Sequence, residues 1–324
     1  MKEKILVRQF ARYVSLNICG MIGLSCYILA DTYFVSKGLG ANGLAALNLA
    51  IPVYSLVHGC GLMLGMGGAT KYSVYIGQKE YKNADKSFSN TIYILSVPAV
   101  IFVLAGIFFA GRLTLLSGAD NAVFGMTKTY LQVILLFSPV FMINDSLLCF
   151  VRNDGNPQLA MIGMLTGSLA NIVLDYIFIF PLNMGIFGAV LATALAPVIS
   201  LIVLSKHWFA KQNQFHFQWT KPSLRLIRDI LSLGIPSFIA EVASGVVMIV
   251  FNLIILRLRG NIGVAAYGVV ANLSLVVNSI YTGMAQGIQP ILSRLCGCGD
   301  EKGIKRILHY AVNTILVLSG CIYL

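Results

Sequence analysis

Long apolar runs separated by short polar stretches dominate this chain from end to end. A helix that crosses a bilayer needs about 20 mostly apolar residues. Nine segments meet or approach that length: Phe10–Ser36, Gly43–Ala69, Phe88–Gly111, Phe124–Phe150, Leu159–Pro181, Phe187–Phe209, Ile230–Leu256, Val264–Leu292 and Ile307–Leu324. Several contain Gly or Pro, which spanning helices tolerate because neighbouring groups re-satisfy the freed backbone. The pattern predicts an all-α integral membrane protein. Composition agrees, since 57% of the 324 residues are hydrophobic and only 11% are charged, against about 25% charged in a soluble domain.

The charge adds an orientation. Net charge is +11, which in a soluble protein would suggest nucleic acid. With the N-terminus inside and the spans alternating, 18 of the 23 Lys and Arg residues fall on the inside, five of them in the loop Lys206–Arg228. Cytoplasmic loops carry such an excess, so the basic balance needs no nucleic-acid partner. The start, MKEKILVRQFARYVSLNICG, lacks the short apolar region and small-residue cleavage site of a signal peptide. The seven cysteines have no zinc or redox spacing and read as packing residues. The four histidines show no ligand spacing, and His58, inside the second segment, is the one to test for protonation. No Ser/His/Asp or Cys/His arrangement indicates an enzyme, and no cofactor is implied.

The chain partly repeats itself at a shift of about 220 residues. Gly43-Leu44-Ala45-Ala46 falls on Gly263-Val264-Ala265-Ala266, Gly67 on Gly287, Gly77 on Gly297 and Lys82 on Lys302. An even number of spans per unit makes this a parallel repeat, as in the halves of some secondary transporters. The expected organisation is a six-helix N-terminal lobe over residues 1–210, a basic cytoplasmic linker over 211–228 and a partial C-terminal lobe over 229–324. By this register the chain stops within the third helix of the second unit. The expectation is a fragment or truncated reading frame, with about 120 further residues in a complete two-lobe design.

Four acidic residues lie within apolar spans: Asp31, Asp145, Asp175 and Glu241. A carboxylate at a helix centre costs roughly 2.5–3.5 kcal/mol on the insertion scale. Such residues normally face a bundle interior and mark ion or proton pathways. Counting at about 1.5 Å per residue puts Asp31, Asp175 and Thr193 at a similar depth, roughly 9–12 Å below the outer surface. Asn171 is one turn deeper than Asp175 on the same helix face, and Tyr27 is one turn deeper than Asp31. This oxygen-rich set suits a hard monovalent cation or an exchangeable proton. Glu241 falls near mid-membrane, facing a cavity or a polar partner on another helix. Asp145 is expected to snorkel or pair near the inside, seven residues from Arg152. The loop RNDGNP (Arg152–Pro157) reads as a structural turn. GLMLGMGGA (Gly61–Ala69) lies in a span, so it is not a nucleotide loop.

At these residues the sequence resembles the multidrug and toxic compound extrusion (MATE) family, in its MepA-like branch. The matching stretches are ADTYFVSKGLGANGLAALNLAIP (Ala30–Pro52), VRNDGNPQLAM (Val151–Met161), NIVLDYIFIF with NMGIFGAVLATALA (Asn171–Ala196), and LSLGIPSFIAE (Leu231–Glu241). The resemblance implies a two-lobe helical bundle around a central cavity, exchanging Na⁺ or H⁺ for organic, often cationic, drugs by alternating access. It implies a cation or proton site at Asp31, Asn171, Asp175 and Thr193, with Tyr27 and Tyr130 lining that lobe and Glu241 facing the cavity or substrate. Leu16 stands where family members commonly carry a proline, while its repeat mate is Pro236. The expected setting is the bacterial cytoplasmic membrane, multi-pass, with the N-terminus cytoplasmic. The expected partners are a small organic molecule and membrane lipid; no nucleic acid is expected, and the chain is expected to be a monomer. A flippase for lipid-linked or amphipathic cargo and a non-transporting remnant are the alternative readings.

Overall fold

A computed structural model describes the backbone of residues 2–323. The side chains of residues 2–3, 248–249, 252–253, 256–257, 259–269, 271–272 and 323 lie outside that description. The described chain is helical nearly throughout: α1 Lys2–Gly77, α2 Tyr81–Phe108, α3 Ala110–Leu116, α4 Phe124–Leu136, α5 Ser138–Asn153, α6 Pro157–Ile179, α7 Gly185–Phe209, α8 Leu224–Cys298 and α9 Glu301–Tyr323. Among the described residues, five helical stretches are long and apolar enough to cross a membrane, or up to six when the bent pair α4–α5 is counted as one.

The breaks follow local chemistry. The first two expected spans, both within α1, are two helices that meet at a kink at Gly40, whose φ of 66° and ψ of −159° suit glycine alone. The fourth span bends by 51° at Phe137, where Pro139 opens α5. RNDGNP is the turn its residues encode: Gly155 takes φ +93°, the Asn156 side chain caps α6 by accepting from the Leu159 N–H, and Pro157 begins the helix.

α8 cannot be one straight rod. Its start meets α1 near Gly67, since a Cβ on Gly67 would lie 3.1 Å from the Gly234 nitrogen; its end meets α1 at Gly77, where a Cβ would lie 3.0 Å from the Gly297 Cα. Gly67 and Gly77 are about 15 Å apart along α1, whereas a straight helix would separate Gly234 from Gly297 by roughly 95 Å. α8 therefore doubles back, like α1, in two antiparallel stretches. The expected spans Ile230–Leu256 and Val264–Leu292 correspond to these stretches. The side chains of the repeat segment Gly263–Ala266, and of Arg257 and Arg259, are outside the described residues.

Contacts between the α1 and α8 halves obey the 220-residue register. Gly67 packs on Gly234, and its mate Gly287 packs on Val14, the mate of Gly234. Gly77 and Gly297, mates of one another, touch directly. Ser25 donates to the Leu275 carbonyl (3.5 Å), and the mated pair, Gly245 and Ser55, is also in contact. A residue that meets its own mate sits at a local two-fold axis. Small residues there let backbones approach, as membrane helix packing favours.

Around this seam the apolar stripe faces outward. On α2, Val97, Val100, Ile101, Leu104, Ile107 and Phe108 are exposed at helical spacing, while Ser87, Ser89, Asn90 and Thr91 are buried. The segment after α7 is strapped onto α2: the Gln218 N–H donates to Ser89 Oγ and the Ser223 N–H to Asn90 Oδ1, both at 2.8 Å. Helix α8 begins at Leu224, so Arg225 and Arg228 of the expected linker are helical. Among the described residues the cysteines are unpaired and only Cys149 is buried, which corrects the reading of all seven as packing residues.

Candidate functional site

NIVLDYIFIF lies on α6, and its four-residue spacing puts Asn171 and Asp175 on one face, both fully buried. That face meets α7 closely because of Gly167, where a Cβ would lie 3.1 Å from the Ala196 carbonyl. Thr193 thereby arrives opposite Asn171. Hydrogen-bond complementarity sets the Asn171 amide. Its nitrogen donates to Asp175 Oδ2 (3.1 Å) and its oxygen accepts from the Thr193 backbone N–H (3.2 Å). The Thr193 hydroxyl donates to the Ala189 carbonyl at 3.2 Å, so its oxygen remains an acceptor.

Asp31 reaches the same spot from the first half of α1, and the Asp31 and Asp175 carboxyls are direct neighbours. Tyr130, from α4, lies against Thr193. Asp31 Oδ1 and Asp175 Oδ1 are both buried without a hydrogen-bond partner. Of the ten buried side-chain polar atoms that lack a partner among the described residues, these two alone are carboxyl oxygens, and they belong to neighbouring side chains, an arrangement that a cation or a shared proton would complete. The depth count thus selects four residues that the fold brings together. Within the set, Asn171 orients Asp175, while the carboxyl oxygens and the Thr193 hydroxyl are the hard oxygen donors that sodium accepts. Among the described residues no group of three or more His, Cys, Asp or Glu is gathered for a metal; a sodium site of this kind would draw on neutral oxygens beside its two carboxylates.

Beside this pair lies a cavity of about 220 Å³ between the two halves. Tyr27 and Thr193 line it, whereas Asp31, Asn171, Asp175 and Tyr130 stand behind them. Glu241 faces it from α8, as its depth suggested. Four further lining residues, Asp145, His58, Tyr54 and Arg152, make contacts that sequence reasoning does not show. Asp145 does not pair with Arg152; its Oδ2 is 2.8 Å from His58 Nδ1, a partner 87 residues away. Tyr54 stacks on His58, with ring centroids 5.9 Å apart and planes 8° from parallel, and its hydroxyl meets that of Tyr27 at 3.3 Å. Arg152 is buried at the cavity floor, donating to Asn17 Oδ1 at 2.7 Å and Gln286 Oε1 at 2.8 Å, one acceptor from each half. The sequence marks His58 as a histidine within a span and Asp145 as a carboxylate within a span, but only the four-residue spacing of Tyr54 and His58 hints at a contact in this group.

The family model described as MatE matches residues 18–177 and 236–324. The chain belongs to the MatE family. Among curated relatives of this MatE protein is the multidrug export protein MepA of Staphylococcus saprophyticus subsp. saprophyticus, 29% identical over 294 residues, which are 90% of this chain and 65% of that relative. MepA of Staphylococcus aureus strain MRSA252 is 28% identical over 296 residues, again 90% and 65%. The chain thus spans about 65% of the length of the curated relatives it matches. Among solved structures, the MATE multidrug transporter DinF-BH superposes with a TM-score of 0.87 at 26% identity, covering 98% of this chain and 71% of that one. A MOP superfamily transporter from Pyrococcus furiosus gives 0.86 at 25%, covering 94% and 68%.

Proposed function

We propose that this MatE protein carries out cation-coupled antiport, exporting organic, often cationic, compounds across the bacterial cytoplasmic membrane with its N-terminus in the cytoplasm. The observation that carries the reading is the neighbouring Asp31–Asp175 pair, buried with two carboxyl oxygens unpartnered, directly behind a cavity that both halves line. Sodium or a proton, bound there as cargo, neutralises charge that the apolar span otherwise bears at a cost of several kcal/mol. Tyr27 and Thr193 border both the pair and the cavity, so loading of the ion and loading of an organic molecule bear on the same side chains. Differential binding to the outward- and inward-facing states then couples the two fluxes. The names of the MepA and DinF-BH relatives support the drug-export side of the reading.

The test is ethidium efflux from proteoliposomes under an imposed Na⁺ or H⁺ gradient. Asp175→Asn keeps the shape and removes the charge, and it is expected to lower gradient-driven efflux at least 100-fold with membrane insertion intact. Wild-type efflux in that variant refutes the ion role.

A further inference from the structure

The cavity contains a titratable group that ion binding at Asp31 and Asp175 does not use. His58 hangs from the second half of α1, and its Nδ1 is committed to Asp145 Oδ2 at 2.8 Å. A carboxylate acceptor fixes the tautomer with the proton on Nδ1. The other ring nitrogen, Nε2, makes no hydrogen bond among the described residues, while the ring lines the cavity. The neighbours are few. Tyr54 stacks on the ring from its own helix, and Tyr27 reaches Tyr54 from the first half of α1. Asp145 comes from α5, and Glu241 from α8 lies beside Gly59, the residue next to His58. Arg152, two turns below Asp145 on α5, is held by Asn17 and Gln286. Two carboxyls, the Arg152 guanidinium and one imidazole therefore set the charge of the cavity, and of these the imidazole is the group whose ordinary titration lies nearest neutral pH.

We propose that His58 Nε2 is a second, cavity-facing proton acceptor, separate from the Asp31–Asp175 pair, whose protonation competes with an organic cation for the cavity. The step is simple in balance: a hydronium ion in the cavity gives its proton to Nε2 and becomes water, and the His58–Asp145 dyad passes from one negative charge to none. With His58 neutral, Asp145 and Glu241 face a lipophilic monocation that the Tyr54 and Tyr27 rings can flank. With His58 charged, the same monocation meets a like charge. One unit charge at about 10 Å and an effective dielectric near 20 changes affinity by on the order of tenfold.

The inference rests on the proposed export reading only for the choice of a cationic probe, and the arms of the test separate the two. Ethidium binding to the purified protein in nanodiscs is measured by fluorescence polarisation at pH 10 and pH 6, a window wide enough for an imidazole hydrogen-bonded to a carboxylate neighbour. For the wild type, Kd is expected to rise about tenfold between pH 10 and pH 6. His58→Gln is expected to reduce that ratio to about 2. The double variant Asp31→Asn/Asp175→Asn is expected to keep the tenfold ratio even though gradient-driven efflux is lost. An unreduced ratio in His58→Gln, loss of the ratio in the double variant, or a wild-type ratio near 1 overturns the proposal. Should His58→Gln fail to fold, the unsubstituted protein labelled with ¹⁵N-histidine gives the answer. A saturating amount of ethidium across the same pH window is expected to shift one of the four histidine signals towards the neutral form, and four unmoved signals overturn it.

Discussion

The two halves that meet at the α1–α8 seam share a scaffold and differ in chemistry. Gly67 and Gly287, Gly77 and Gly297, and Ser25–Leu275 against Gly245–Ser55 show the same contacts made twice. The functional positions are not duplicated. In the 220-residue register the mate of Asp31 is Phe251, that of Tyr27 is Val247, that of His58 is Asn278 and that of Glu241 is Met21. Close backbone approach constrains both copies equally, because a side chain at a touching glycine displaces a backbone whichever half it belongs to. A buried carboxylate needs neighbours on other helices, and the first copy has them: Asn171 on α6 and Thr193 on α7. Packing tracks the repeat, whereas ion chemistry tracks the helices that surround one copy.

The largest expected effect comes from moving the chemistry without the scaffold. Exchanging the mates, Asp31→Phe with Phe251→Asp, preserves composition and repeat register but takes the carboxylate away from Asp175. Gradient-driven ethidium efflux is expected to fall at least 100-fold and not to recover relative to Asp31→Phe alone. Recovery in the exchanged protein would mean that either half can host the ion site.

A smaller effect is expected from disturbing the scaffold. A Cβ on Gly67 would run into the Ile230 carbonyl, and one on Gly234 into the Met63 carbonyl, both backbone atoms with nowhere to retreat. Overpacking of this kind costs about 1–3 kcal/mol. Gly67→Ala and Gly234→Ala are each expected to destabilise by that amount in equilibrium unfolding from mixed micelles. Gly125→Ala on α4, whose Cβ meets nothing within 4 Å, is expected to be neutral or slightly stabilising. The same unfolding assay tests the cavity floor. Asn17→Ala or Gln286→Ala strands a donor of the buried Arg152 guanidinium, at about 1–3 kcal/mol for each lost acceptor.

How much of this is legible in the sequence follows from what each feature depends on. Spans and their register are readable because apolar length and glycine spacing are properties of the chain itself. The Asp31, Asn171, Asp175 and Thr193 cluster is readable because depth counting converts position along a helix into height in a bilayer, and residues at one height on adjoining helices can meet. Rotation about the helix axis is not available from such counting. That is why Asp145, seven residues from Arg152, reads as a residue that snorkels or pairs near the inside, when the bent α5 turns it towards His58 instead. Arg152 reads only as part of a structural turn for a related reason: nothing local shows that Gln286, 134 residues on, accepts from it. The kink at Gly40 divides α1 into the two expected spans, and the contacts of Gly67 and Gly77 reveal that α8 must reverse as well.

The finest division between the halves lies at one mated contact. Ser25 meets Ser279 hydroxyl to hydroxyl and also donates to the Leu275 carbonyl, whereas at the mated position Gly245 offers Ser55 no side chain at all. The two contacts are geometrically equivalent and chemically unequal, so they separate shape from hydrogen bonding. Interhelical hydrogen bonds in membranes contribute about 0.6 kcal/mol on average and at most about 1.7. A double-mutant cycle with Ser25→Ala and Ser279→Ala is expected to give a coupling energy in that range, because each single variant already removes the shared bond. Ser279 mates with Gly59, so the other side has no hydroxyl pair. A cycle at the Gly245–Ser55 contact, the mate of Ser25–Leu275, has no bond to lose and is expected to show only a steric term, since a Cβ on Gly245 would sit 3.1 Å from Ser55 Oγ. In both cycles the double variant is less destabilised than the sum of its singles, so the single variants carry the distinction: Ser25→Ala loses a bond and destabilises, whereas Ser55→Ala loses none and is expected to be near neutral. Equal destabilisation by Ser25→Ala and Ser55→Ala would erase the distinction between the halves.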